Sequence, residues 1–186
     1  MNKEGKNPMK KLLAITLCMA LLLGCTALAG GKQTLGTLNG MFAIECTVPD
    51  GYQTENIASD GNGMLVVSIR SADAAKPYMV LSVAFDEMMA DVERLNDLDE
   101  NAIAAIESSF TSEDNVEITY TETAFGTKLM VVKEVADSVE YVDFFTVYKG
   151  YSIEFVLLTD SAAGLTDHEI EMAVKFLSDM EFVPAE

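Results

Sequence analysis

The chain is expected to fold as an α+β domain, an antiparallel β-sheet flanked by helices. Three observations predict this. Runs of apolar residues with period-two alternation recur between breaks rich in Gly, Asp and Asn, which is the pattern of strands joined by turns. Tyr141–Tyr148 and Tyr151–Leu158 are separated only by Lys149-Gly150, a two-residue link with Gly second that suits a type I′ hairpin. After Asp160-Ser161-Ala162-Ala163-Gly164 a helix should begin at Thr166, where Thr166 and Glu169 have capping-box spacing. Ile170, Ala173, Val174, Leu177 and Met180 share one stripe of that helix, so it should lie on a sheet.

The first residues read as an address. Lys3, Lys6, Lys10 and Lys11 precede the apolar run Leu12–Leu23. That run is shorter than the ~20 residues a membrane span needs, and fits the core of a signal peptide. Two cleavage patterns overlap beyond it. Leu22-Leu23-Gly24-Cys25 resembles a lipobox, in which Cys25 is acylated and becomes the new N-terminus, while Ala27-Leu28-Ala29 is an A-x-A site. Leu23 stands where a small or β-branched residue is commoner, but Cys25 sits at the end of the apolar run, where a lipobox belongs. The expected layout is a signal peptide over 1–24, a tether over 25–40 and a single domain over 41–186. The expected location is extracytoplasmic, lipid-anchored to the cell membrane through Cys25, with free secretion as the alternative.

Without residues 1–24 the chain loses four of its 12 basic residues and one of its 30 acidic ones, so its formal charge moves from −18 to −21. A surface so acidic is repelled by nucleic acid and by anionic head groups, which excludes a nucleic-acid partner and leaves the lipid anchor as the contact with membrane. Cys46 is then the remaining thiol of a domain large enough to hold together without a disulfide.

From Met41 the alternation of Phe42, Ile44, Cys46 and Val48 with Ala43, Glu45 and Thr47 predicts a half-buried strand, with Cys46 turned inward as an inert thiol. Pro49-Asp50-Gly51 ends it. Ser59-Asp60-Gly61-Asn62-Gly63 is a hairpin turn; its Asp60-x-Asn62 lacks the ligand and Gly that a calcium loop requires next. Met64–Arg70 and Tyr78–Phe85 follow as strands, the second with Met79, Leu81, Val83 and Phe85 on a strongly apolar face. After the turn Glu113-Asp114-Asn115 come Val116–Glu122 and Lys128–Val135, and then the hairpin.

Residues 86–100 are the most acidic and least regular stretch. Asp86, Glu87, Asp91, Glu93, Asp97, Asp99 and Glu100 are interleaved with Met88, Met89, Val92, Leu95 and Leu98. A helix is expected from about Leu98 to Phe110, with Asp97 and Glu100 as its capping box. Met88, Met89, Val92 and Leu95 are the candidate partner surface, because apolar side chains set among acids on a loop are what selective binding needs. The competing reading buries these four under the helix. A weak calcium site is the cation-binding alternative for the carboxylates, although their spacing matches no defined loop.

Catalytic signals are sparse. His168, the single histidine, is expected on the surface in the first turn of a helix, and the chain contains no G-x-S-x-G, H-E-x-x-H or C-x-x-C. One His and one remaining Cys leave zinc and Cys–His chemistry short of groups. A hydrolase working through paired carboxylates is the enzyme alternative, but the chain has no Trp to form a sugar platform. The expectation is a non-enzyme without a cofactor.

The segments Phe42–Tyr52 (FAIECTVPDGY), Lys149–Asp160 (KGYSIEFVLLTD) and Ala173–Phe182 (AVKFLSDMEF), with the order of strands and helices between them, resemble the PsbP-like superfamily. That resemblance implies an α/β/α sandwich around an antiparallel sheet, and a role in binding another protein, here an unknown one. It brings no catalytic, metal or cofactor residue to any position of this chain.

Overall fold

The computed structural model describes residues 32–59, 63–111, 116–134 and 139–185. The leader with Cys18 and Cys25, turn residues 60–62 and 113–115, and Val135 lie outside the described residues. Seven strands, β3 (Tyr52–Ser59), β4 (Met64–Ser71), β5 (Tyr78–Phe85), β6 (Val116–Glu122), β7 (Lys128–Glu134), β8 (Tyr141–Tyr148) and β9 (Tyr151–Leu158), form one antiparallel sheet in the order β3-β4-β5-β9-β8-β7-β6. The predicted hairpin is β8–β9, and it lies in the interior of the sheet. Lys149 and Gly150 both have positive φ, 50° and 78°, as a type I′ turn demands, and the register runs without a slip from Tyr148↔Tyr151 to Tyr141↔Leu158.

Alternation then divides the side chains between two faces. On the inner face Leu65, Leu81, Ile153, Phe155, Val142 and Phe144 are buried together. They share one core with helix α2 (Asp167–Ser178), whose Thr166 and Glu169 form the expected capping box: the Glu169 N–H donates to Thr166 Oγ1 at 3.3 Å and the Thr166 N–H donates to Glu169 Oε2 at 2.7 Å. The side chains that α2 buries are Ala173, Phe176 and Leu177, with Met180 just past its end. Ile170 and Val174 of the predicted stripe are only half-buried. The helix is rolled towards Phe176, which stacks on Phe155 at 5.4 Å while Phe155 meets Phe144 edge-on at 5.6 Å.

On the outer face, helix α1 (Glu100–Phe110) covers the β6–β7–β8 end. Ile103, Ile106 and Phe110 pack against Met130, Val132 and Val147. Its N-cap is Asp99, which accepts from the Ala102 N–H at 2.8 Å, so the capping pair Asp97/Glu100 is corrected. Residues Leu95–Asp97 instead close a 3-10 turn, which commits Asp97 before the α-helix begins and leaves Leu98 extended.

The tether expected over 25–40 is also corrected from Lys32 onward, since β1 (Lys32–Leu38) pairs antiparallel with β2 (Phe42–Thr47), while residues 25–31 lie outside the described residues. Leu35 and Leu38 are buried, and at Gly36 the strand passes so close to β4 that an added Cβ would stand 2.6 Å from Leu65 Cδ1. That Gly reads as linker in the sequence; in the fold it permits contact between sheets. The other edge of β2 is taken by β10 (Glu181–Pro184), a strand the sequence pattern does not announce. The α+β class holds, but the helices are a minor part. Much of the inner face is covered by the sheet β1-β2-β10, so the expected α/β/α sandwich gives way to two sheets with one helix on each face of the larger.

Truncating Leu177 to Ala should cost ~2–5 kcal/mol, as buried leucines do. Glu171→Ala, exposed on the same helix, should stay within about 0.5 kcal/mol. Denaturant unfolding of the two variants compares them; similar losses would contradict the packing of α2.

Candidate partner surface

The tip of the central hairpin holds the acidic loop in place. The Lys149 N–H donates to Glu93 O at 2.8 Å, the Gly150 N–H to Val92 O at 2.9 Å, and the Asp86 N–H to Gly150 O at 3.0 Å. An added Cβ on Gly150 would lie 3.1 Å from the Phe85 ring and 3.2 Å from Ala90 O, so the loop is seated directly on the turn. Asp86 shapes the start of the loop: its Oδ1 accepts from the Met88 N–H at 2.9 Å to begin the 3-10 turn Glu87–Met89, and its Oδ2 accepts from Ser152 Oγ at 3.3 Å. Farther along, the Leu95 N–H donates to buried Thr127 Oγ1 at 3.0 Å, which donates to Val147 O at 3.0 Å. The irregular stretch is thus tied at both ends to the hairpin.

These ties split the four candidate residues. Leu95 is 1% exposed in the outer-face core and is corrected from partner surface to core. Met89 and Val92 are half-buried against the same cluster. Met88 is 86% exposed. The 3-10 geometry does this, since a three-residue turn sends Met89 and Val92 to one side and Met88 to the other. Glu87, Asp91 and Glu93 of the same loop are exposed as well.

Two further exposed apolar side chains were absent from the sequence candidates. Phe85, assigned to the apolar face of β5, is 45% exposed at the strand end, its ring edge-on to Tyr151 at 5.6 Å. Met41 is 55% exposed on the β1–β2 turn. That turn comes to the same end of the molecule because Asn39 Nδ2 donates to Tyr151 Oη at 3.1 Å and the Asn39 side chain reaches Gly63 beside Phe85. No local pattern could have revealed that meeting of distant loops.

The other groups singled out in the sequence take ordinary places. Cys46 is buried, and burial pushes its thiol up to about 12, far from a reactive thiolate. His168 is exposed in the first turn of α2.

The hairpin register also brings two carboxyls together. With Asp143 opposite Val156 and Phe145 opposite Glu154, the carboxyls of Asp143 and Glu154 are diagonal neighbours on the outer face. Among the described residues no ion pair reaches either. Val132 stands opposite Asp143 and Ser82 opposite Glu154, and Arg70 on the same face donates to Ser68 Oγ at 2.9 Å and stacks its guanidinium over Tyr78. Burial, then the charge of Glu154, pushes Asp143 up to about 7; burial also raises Glu154.

No family model and no curated protein sequence matches the chain. Among solved structures it is similar to the solution structure of cyanobacterial PsbP (CyanoP) from Synechocystis sp. PCC 6803, at 15% identity, over 87% of this chain and 98% of that one, with a TM-score of 0.47. That protein carries the name of the superfamily that the strand order and segment patterns resemble. At this distance the likeness is one of outline, and no site residue passes from one chain to the other. Among the described residues no helix is long and apolar enough to cross a membrane.

The acid pair has a measurable consequence. Asp143 ionises at ~4 when unfolded and at about 7 when folded, so between these values the folded chain holds the extra proton. Its contribution to stability is full below pH ~4 and is lost as pH rises through ~7. Thermal unfolding of Asp143→Asn across that range should show a flatter profile than the parent chain; an unchanged slope would contradict the assignment.

Proposed function

We propose that this chain is an exported, lipid-anchored, non-enzymatic module that binds another protein through the surface around Met88. The observation that carries the reading is the exposure of Met88, 86%, on a loop pinned by backbone hydrogen bonds to the rigid hairpin tip. An exposed Met on a loop that also carries exposed Glu87, Asp91 and Glu93 combines an adaptable apolar anchor with charged neighbours in the chain. The partner it fits presents an apolar recess bordered by Lys or Arg, since acidic side chains attract basic surfaces and repel acidic ones. The absence of chemistry in this reading is supported by a thiol held inert by burial and by a lone His on the surface. Export and anchoring are supported by Lys3–Leu23 and by the position of Cys25 after the apolar run.

Two measurements test the two halves. Intact mass of the chain extracted from native membranes should correspond to a start at Cys25 with added lipid; a start at Gly30 without lipid would replace the anchored form by a secreted one. Met88→Asp should leave unfolding free energy within about 0.5 kcal/mol, because the side chain packs on little. Crosslinking from native membranes should then lose the partner recovered with the parent chain. Recovery of the same partner by folded Met88→Asp would remove this surface from consideration.

A further inference from the structure

The two sheets present four edges, and three are blunted. β3 carries a register irregularity between Asn56 and Ala58, β1 carries one between Thr34 and Gly36, and β10 is four residues long and ends in Pro184. β6 is different. It pairs with β7 through seven consecutive residues without a slip, from Val116↔Glu134 to Glu122↔Lys128, and contains no proline. Among the described residues no strand takes its outer edge. Val116, Ile118, Thr119, Tyr120 and Thr121 also give it a composition well suited to pairing.

The edge is bordered by a groove on each face of the sheet. One, of about 330 Å³, lies between β6–β7 and α2 and is lined by Glu117, Thr119, Lys133, Asp167, Ile170 and Glu171 among others. The second, of about 250 Å³, lies between β6 and α1 and includes Glu100, Ile103, Glu107, Tyr120 and Lys128. In the first, three carboxylates face one ammonium, and that ammonium, Lys133 Nζ, is already 3.9 Å from Asp167 Oδ1. In the second, Glu100 and Glu107 face Lys128, whose Nζ sits over the Tyr120 ring, while the Tyr120 hydroxyl donates to Glu107 Oε1 at 2.6 Å.

We propose that the outer edge of β6 is a strand-addition site for an extended segment of a partner protein that is rich in Lys or Arg. A strand laid beside β6 sends alternate side chains above and below the sheet, which places them in the two grooves in turn. Both grooves carry net negative charge, so basic residues are favoured on both faces of the incoming strand. A second copy of this chain is disfavoured as occupant, because it would set the acidic grooves beside β6 in one copy next to the same acidic grooves in the other. This site uses residues other than those around Met88, and it stands or falls separately from that surface.

The test uses the purified protein and a synthetic probe of about ten residues, with Lys-Lys pairs separated by Val-Thr pairs. Binding is measured by fluorescence anisotropy, and amide hydrogen exchange locates it. The expected result is protection of amides within Val116–Glu122 and loss of about tenfold in affinity when alternate backbone nitrogens of the probe are methylated. Glu117→Lys/Glu171→Lys, at two exposed positions, should weaken the probe comparably while leaving the melting temperature in place. Equal binding of the methylated probe would reduce the contact to diffuse charge attraction and overturn the proposal. So would protection confined to other strands, self-association through β6 in place of probe binding, or no binding at millimolar probe.

Discussion

Backbone pairing across the Lys149-Gly150 turn is the constraint on which most of the molecule depends. Two positive φ values in succession give a turn whose twist matches that of its strands, and that turn sets the register of β8 and β9 over their full length. Because β5 joins β9 and β7 joins β8, the hairpin is the seam between two meanders, β3–β5 on one side and β6–β7 on the other. A slip of one residue there would turn Phe144 and Phe155 out of the inner core and bring Asp143 and Glu154 in. The strongly apolar inner face therefore protects the register that the turn establishes.

The same turn organises the loop that crosses it. Its two N–H groups and one carbonyl, left free by hairpin geometry, are satisfied by Glu93, Val92 and Asp86. Residues 86–98 thus acquire a defined path without a long helix or strand of their own. The acids within this stretch do separate tasks: Asp86 and Asp99 accept backbone N–H groups at the starts of helical turns, while Glu87, Asp91 and Glu93 remain in solvent. The Met88 surface and the Leu95 core contact are two sides of one constrained segment.

Charge and sheet edges act together on the opposite flank. A net charge of −18 keeps copies of the chain apart, so a regular edge such as β6 can stay open with little risk of self-pairing. The half-buried pair Asp143 and Glu154 shows the opposite use of the same residue types, since with no ion pair to either among the described residues partial burial raises both towards the neutral form. Acidity here is a set of local arrangements with different physical consequences.

Short-range chemistry made part of this molecule legible from its residues. The β8–β9 hairpin, the Thr166–Glu169 capping box, the five strand cores from β4 to β8 and the inward thiol of Cys46 all reflect turn preferences, capping and alternation within a few residues. Features that depend on distant partners emerge only in the folded chain. β1 is a strand because β2 supplies its hydrogen bonds and Gly36 admits Leu65; β10 exists because β2 has a second edge to fill. Phe176 turns inward because Phe155 offers it a ring, and α1 starts late because Leu95 is drawn into a core with Met130 and Val147. Met88 and Leu95 look alike in sequence, and only the anchoring of their loop to the hairpin separates them. Local propensity carries no record of such pairings, because the free energy that decides them is released only when segments far apart in the chain come into contact.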